Sequence, residues 1–90
     1  MRTRINKPAL LRKMAEYGQN IEQRIKYLRH NISTLMSIEE FRLFDLWARS
    51  YYVYLMMLDE NFGLIRFNYA DYLIIVQSSQ FDYVIEIRKK

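Results

Sequence analysis

The chain has no cysteine, one proline, one histidine and two glycines among its 90 residues. Without thiols there is no disulfide framework, no cysteine-type zinc module and no cysteine nucleophile. Gly18 and Gly63 stand too far apart to form a glycine-rich phosphate loop. His30 alone cannot supply the three or four ligands of a zinc site. At the end of a predicted helix it is explained more simply by the helix dipole than by catalysis. The longest apolar run is Tyr51–Leu58, well short of the ~18 residues of a membrane span. Basic Met1–Lys13 is not followed by the apolar core of a secretory signal. These lacks lead us to expect a soluble, cytoplasmic protein without cofactor, metal or membrane contact.

Paired carboxylates are present but badly placed for chemistry. Glu39-Glu40 and Asp59-Glu60 fall on predicted helix ends, where neighbouring side chains point about 100° apart and cannot converge on one substrate atom. No enzyme is expected.

What the chain does contain is apolar surface: 51% of residues are hydrophobic and 16% aromatic. Such a composition folds, and 90 residues make one domain. The net charge of +4 is unevenly spread. Residues 1–30 carry eight basic and two acidic side chains, a +6 segment joined to a −2 body. This asymmetry suggests an acidic or polyanionic partner.

Two helices follow from periodicity. Pro8 suits a first helical turn preceded by Asn6 or Lys7. Leu11, Met14, Gly18, Ile21, Ile25, Leu28 and Ile32 then recur at alternating spacings of three and four, which predicts helix 1 over 8–30, with Arg29 and His30 in its last turn and Asn31 as a left-handed stop. Ser37-Ile38-Glu39-Glu40 has the form of a capping box, with Met36 and Phe41 placed for a hydrophobic staple. Phe41, Phe44, Ala48, Tyr51, Leu55, Leu58 and Phe62 repeat the spacing to a terminal Gly63, predicting helix 2 over 38–61. A second apolar strip on helix 2 (Leu43, Trp47, Tyr54, Met57) implies that it lies between helix 1 and a sheet.

After Gly63 the period shortens to two. Leu64–Asn68, Tyr72–Gln77 and Phe81–Arg88 read as strands joined by short turns. Phe81, Tyr83, Ile85 and Ile87 alternate with Asp82, Glu86 and Arg88, while the middle strand is apolar on both faces, as expected if both are covered. Arg2–Ile5 could add an edge strand. The expected fold is therefore α+β: an antiparallel αα-hairpin followed by a three-stranded antiparallel β-meander, with 1–7 as a basic arm and the meander over 64–88.

Two surfaces are candidates for binding. Arg2, Arg4, Lys7, Arg12, Lys13, Arg24, Lys26 and Arg29 form a charged patch, several of them at the positive end of helix 1, where cations cost stability unless a partner uses them. Tyr51, Tyr52, Tyr54 and Tyr72, among eight tyrosines, form a candidate aromatic interface, since Tyr and Arg concentrate at binding hot spots. The favoured expectation is a small non-enzymatic module that docks on a larger protein or nucleoprotein as a regulator or inhibitor, in the manner of many viral or mobile-element proteins. The excess apolar surface also favours a homodimer. The alternative is direct nucleic-acid binding through the basic first third and the Arg88-Lys89-Lys90 tail. A ribonuclease-like toxin is a remote third reading: Arg, Lys and Tyr would have to do its acid–base work, and the leading strand of such proteins is not evident.

Overall fold

A computed structural model describes residues 1–16, 20–59 and 62–90. The element order is β1 (Arg2–Asn6), α1 (Lys7–Glu16), α2 (Ile21–Leu35), α3 (Ile38–Ser50), α4 (Val53–Met57), β2 (Leu64–Tyr69), β3 (Tyr72–Ser78) and β4 (Asp82–Lys89). The α+β class holds. The sheet has four strands rather than three, all antiparallel, in the order β1-β4-β3-β2.

The additional strand is the basic arm. Arg2 pairs with Glu86, Thr3 with Ile85, Arg4 with Val84 and Ile5 with Tyr83. Thr3 and Ile5 are buried while Arg2 and Arg4 are exposed. An arm that buries every second residue is a half-buried strand. The chain therefore does have a leading strand.

Each predicted helix is two helices. Asn20 is extended (φ −72°, ψ 121°) and its side chain accepts from the Glu22 backbone N–H at 2.8 Å, so it caps a new helix inside the expected 8–30 span. Gly18, placed in the seam by periodicity, lies outside the described residues. Asn31 does not stop α2, which continues to Leu35; its amide instead donates to the Tyr27 carbonyl within the helix. Arg29 and His30 thus sit away from the last turn. The expected 38–61 helix breaks after Ser50, whose hydroxyl donates to the Leu46 carbonyl four residues back. Tyr52 then adopts a left-handed conformation (φ 58°, ψ 32°) before α4 begins. Residues 60 and 61, including the acid Glu60, lie outside the described residues. Gly63 does not cap a helix: α4 ends at Met57, and the Gly63 carbonyl accepts from Ser78 N–H at 2.8 Å on the sheet.

One half of the expected capping box forms at Ser37: Glu40 N–H donates to the Ser37 hydroxyl at 3.2 Å, while the Glu40 carboxylate accepts from that hydroxyl at 2.7 Å rather than from the Ser37 backbone N–H. Asn6 caps α1 by accepting from Ala9 N–H at 3.0 Å.

All four helices belong to a core on one side of the sheet. Leu10 and Met14 of α1, Leu28 and Ile32 of α2, Phe44, Trp47 and Ala48 of α3 and Val53, Tyr54 and Met57 of α4 join Ile5, Ile74, Val76, Tyr83, Ile85 and Ile87 from the strands. The α1 helix touches β1 and β4 directly, so the layer expected to lie behind helix 2 also rests on the sheet. The opposite face of the sheet has no helix among the described residues. The second face of the middle strand is thus not covered by a helix among the described residues, although Ile75 on it is buried. Ile75 and Val84 are only 8% exposed yet stand outside the core cluster. Phe81 precedes β4 and is 70% exposed, rather than continuing the buried row of Tyr83, Ile85 and Ile87.

Candidate functional site

The eight cations expected to form one patch are distributed over three elements. Arg2 and Arg4 stand on β1, and Arg4 pairs with Asp82 at 3.2 Å. Lys7 opens α1 with its ammonium donating to the Ser78 hydroxyl (2.9 Å) and the Ser79 carbonyl (3.2 Å), 5.2 Å from the centre of the Tyr83 ring. Arg12 and Lys13 are exposed on α1, and Lys26 is exposed on α2. Arg24 is half-buried, and no atom among the described residues accepts from its buried Nε. With Lys7, Leu11, Met14 and Tyr83 it lines a cavity of about 270 Å³.

Arg29 is committed internally. Its Nε donates to Asp45 Oδ1 at 2.9 Å and its Nη2 to Oδ2 at 3.0 Å, a two-point fork between α2 and α3. The buried Tyr54 donates its hydroxyl to the same Oδ1, and Arg49 Nη1 lies 3.7 Å from Oδ2. Burial works against the charged Asp45 carboxylate, but the Arg29 and Tyr54 hydrogen bonds and the two guanidinium charges outweigh it, holding the carboxyl below its ordinary range. Burial and the adjacent Asp45 push Tyr54 well above its ordinary value. Neither group exchanges a proton near neutrality. This cluster is a tie between helices, and its geometry removes Arg29 and Tyr54 from the two candidate surfaces.

The aromatic candidates also divide. Tyr72 is half-buried, paired with Tyr69 and Lys89 in the sheet. Tyr51 and Tyr52 are 65% and 68% exposed at the α3–α4 junction. Around them Leu46, Leu55 and Met56 are also exposed. Left-handed backbone at a bulky residue such as Tyr52 costs on the order of 1–3 kcal/mol, so the surrounding structure holds this ring outward against a local penalty.

Beside this rim lies a groove of about 590 Å³ between α3 and β2, lined by Leu46, Trp47, Ser50, Tyr51, Ile65 and Phe67 among others. Its floor is rigid: Trp47 stacks on Phe67 with ring centroids 3.3 Å apart and planes within 8°, and on Tyr51 at 5.4 Å. The groove follows β2, the edge strand, whose outer backbone groups pair with no strand among the described residues. The Trp47–Phe67 contact joins two segments whose packing no spacing in the sequence announces.

A second cavity, about 320 Å³, lies on the other side of the α3–α4 junction between Lys26, Arg29, Arg49 and Tyr52. Among the described residues no group of three metal-binding side chains is assembled, and no helix is long and apolar enough to cross a membrane. Comparison with protein families, with curated proteins and with solved structures found no match, so the functional argument rests on this chain's own surfaces.

Proposed function

We propose that the protein is a non-enzymatic binding module, a regulator or inhibitor, that takes an extended segment of a larger protein along the free edge of β2. The observation that carries this reading is the coincidence of three features at one place. An edge strand whose outer backbone groups pair with no strand among the described residues runs beside an apolar groove with a stacked aromatic floor, and exposed Tyr51 lines the same groove. A strand added to β2 satisfies its outer N–H and C=O groups, and its alternate side chains enter the groove over Trp47 and Leu46. Tyr51 supplies large contact area with little rotamer loss. The opposite row of β2 presents Arg66, which favours an acidic residue on the other face of the incoming segment.

The test is a photo-crosslinking residue introduced at position 51, with position 72 as control, in lysate treated with nuclease. The expected result is a heterologous protein adduct from position 51 that survives 300 mM salt and disappears in L46D, which places a charge in the groove. On binding, amide exchange should slow in residues 64–69. Adducts only between copies of this chain, with a doubled mass in light scattering, would assign the groove to a homodimer instead. No adduct at either position would refute the reading.

A further inference from the structure

The sheet face turned away from the helices has a distinct chemistry. Strand pairing puts Arg66, Ile75, Glu86 and Arg2 in one row across all four strands. The flanking rows hold Leu64, Gln77, Val84 and Arg4 on one side and Asn68, Leu73 and Arg88 on the other. Cross-strand partners share a face, so four arginines drawn from both ends of the chain and from its middle stand together on the helix-free side. Two of them are partly occupied: Arg4 by Asp82 at 3.2 Å and Arg88 by Glu86 at 2.7 Å, yet their side chains remain 65% and 59% exposed. Arg2 and Arg66 have no carboxylate within ion-pair distance among the described residues. Ile75 and Val84 are 8% exposed on this face, and their row neighbours across the strands include Arg66 and Arg4, whose long stems suit such shielding.

We propose that this face binds the phosphodiester backbone of single-stranded nucleic acid. Strand geometry spaces Arg2 and Arg4 about 7 Å apart along β1 and sets Arg66 about 14 Å away across the sheet. The cations therefore border a shallow track rather than a single point. Guanidinium forks match phosphate oxygens in two-point contacts. The centre of the face lacks what a protein interface needs: Ile75 and Val84 are recessed there, Leu73 is half-buried, the exposed Leu64 stands at the β2 edge, and the rings of Phe67, Tyr69 and Tyr83 belong to the rows on the opposite side. It also lacks a protruding helix or hairpin that could enter a duplex groove. With no ring to stack on bases, recognition comes from the backbone and is insensitive to sequence.

Binding without cleavage is the expected outcome. Glu86 is the carboxylate at the centre of the face, and its hydrogen bond from Arg88, with the charges of Arg88 and Arg2, holds it below the usual carboxylate range. It serves as an ion-pair partner rather than as a base for a ribose hydroxyl.

The experiment is fluorescence anisotropy of the full chain with labelled 15-mers of uridine RNA and thymidine DNA between 50 and 300 mM NaCl. Either oligonucleotide should bind without being cut, with a log–log salt slope of about −2 to −3, the value for three to four phosphates at about −0.7 each. The R2A/R66A pair, outside every ion pair, should weaken binding about tenfold at the lowest salt and flatten the slope by about 1.4. R66A alone, on a different strand from Arg2, should flatten it by half as much, which guards against loss of β1 in the double variant. No binding at 50 mM salt overturns the proposal. So does binding that R12A/K13A abolishes and R2A/R66A leaves intact, because that places it on α1. Equal retention of polyglutamate overturns it in favour of an acidic protein. Y51A/Y52A should leave oligonucleotide binding unchanged, which separates failure of this proposal from failure of the groove reading.

Discussion

The two sides of the sheet are built from alternate residues of the same strands but solve opposite problems. On the helical side Ile74, Val76, Ile85 and Ile87 meet four helices and form one continuous core. On the other side Ile75 and Val84 are equally apolar and nearly as buried, but no helix among the described residues lies over them and they sit outside that core. Burial by a packed layer and burial beneath long flexible side chains give similar exposures and different energies. A packed layer leaves a cavity when a side chain is truncated, whereas arginine stems can resettle.

The largest expected effect tests that difference within one strand. Ile85→Ala should destabilise the protein by about 3 kcal/mol, the range for a fully buried large-to-small change. Val84→Ala, one residue away, should cost about 1 kcal/mol or less, because the surface above it relaxes. Urea denaturation of both variants measures the contrast. Equal losses would mean that the open face is packed as tightly as the core, and the distinction between the two sides would fail.

Next in size is the tie among α2, α3 and α4. Asp45→Asn leaves Arg29 without its carboxylate and should cost about 2 kcal/mol at neutral pH. The dependence on pH has a definite sign. The folded-state pKa of Asp45 is depressed, so its contribution is complete above the unfolded value near 4 and is lost as pH falls through the lower folded value. Tyr54 is shifted upward, so its share is present below about 10 and is lost only on the alkaline side. The stability gap between wild type and D45N should therefore stay level from pH 5 to 9 and close below pH 4. A gap that stays level into acid would mean that the Asp45 charge contributes nothing to the tie.

Much of the helical side can be read from the sequence, because a helix face is a local property. The Ser37–Glu40 box, the Asn6 start, and the apolar rows containing Leu28, Ile32, Phe44 and Ala48 need only residues a few positions apart. The breaks at Asn20 and Tyr52 were not legible, since the apolar spacing continues across both. Asparagine reads equally well as a helix stop or a helix start, and a left-handed tyrosine has no sequence signature. The open face was less legible still. Arg2 and Arg66 are 64 positions apart in sequence and share a row only through the pairing of β1 with β4, β4 with β3 and β3 with β2. The sequence offers Arg2–Ile5 as an edge strand but does not name β4 as its neighbour. The segment's alternation spans only four residues, and its charge reads more readily as a tail. The same lack of register turned a split set of cations into one apparent patch and placed the buried Tyr54 beside the exposed Tyr51.

A smaller effect concerns the helical side's own exposed rim. Tyr52→Gly removes the penalty for left-handed backbone and should stabilise the protein by about 1 kcal/mol, net of the greater freedom glycine gives the unfolded chain. If the ring is held outward for docking, the same variant should weaken the cross-link from position 51. Stability gained with binding lost is the signature of strain kept for a purpose. Stability gained with binding intact would leave the strain as a by-product of the α3–α4 break.

The smallest effect asks whether arginines mean the same thing on the two sides. On the open face, Arg2 and Arg66 lie outside the ion pairs among the described residues, so replacing them should change stability by less than about 0.5 kcal/mol while altering nucleic-acid binding. Arg24 is the counter-case. It is half-buried among helices with an Nε that meets no acceptor among the described residues, a desolvated donor whose cost none of their atoms offsets. Arg24→Met keeps the stem and removes the polar head, so it should raise stability by about 0.5 kcal/mol and leave oligonucleotide binding untouched. Thermal melts and anisotropy on the same three variants decide the matter. If R24M instead loses stability, its guanidinium has an acceptor in solution within the Lys7–Tyr83 cavity. If it loses binding, the cationic track extends around the sheet edge onto α2, and the division between a packed side and a charged side would have to be redrawn.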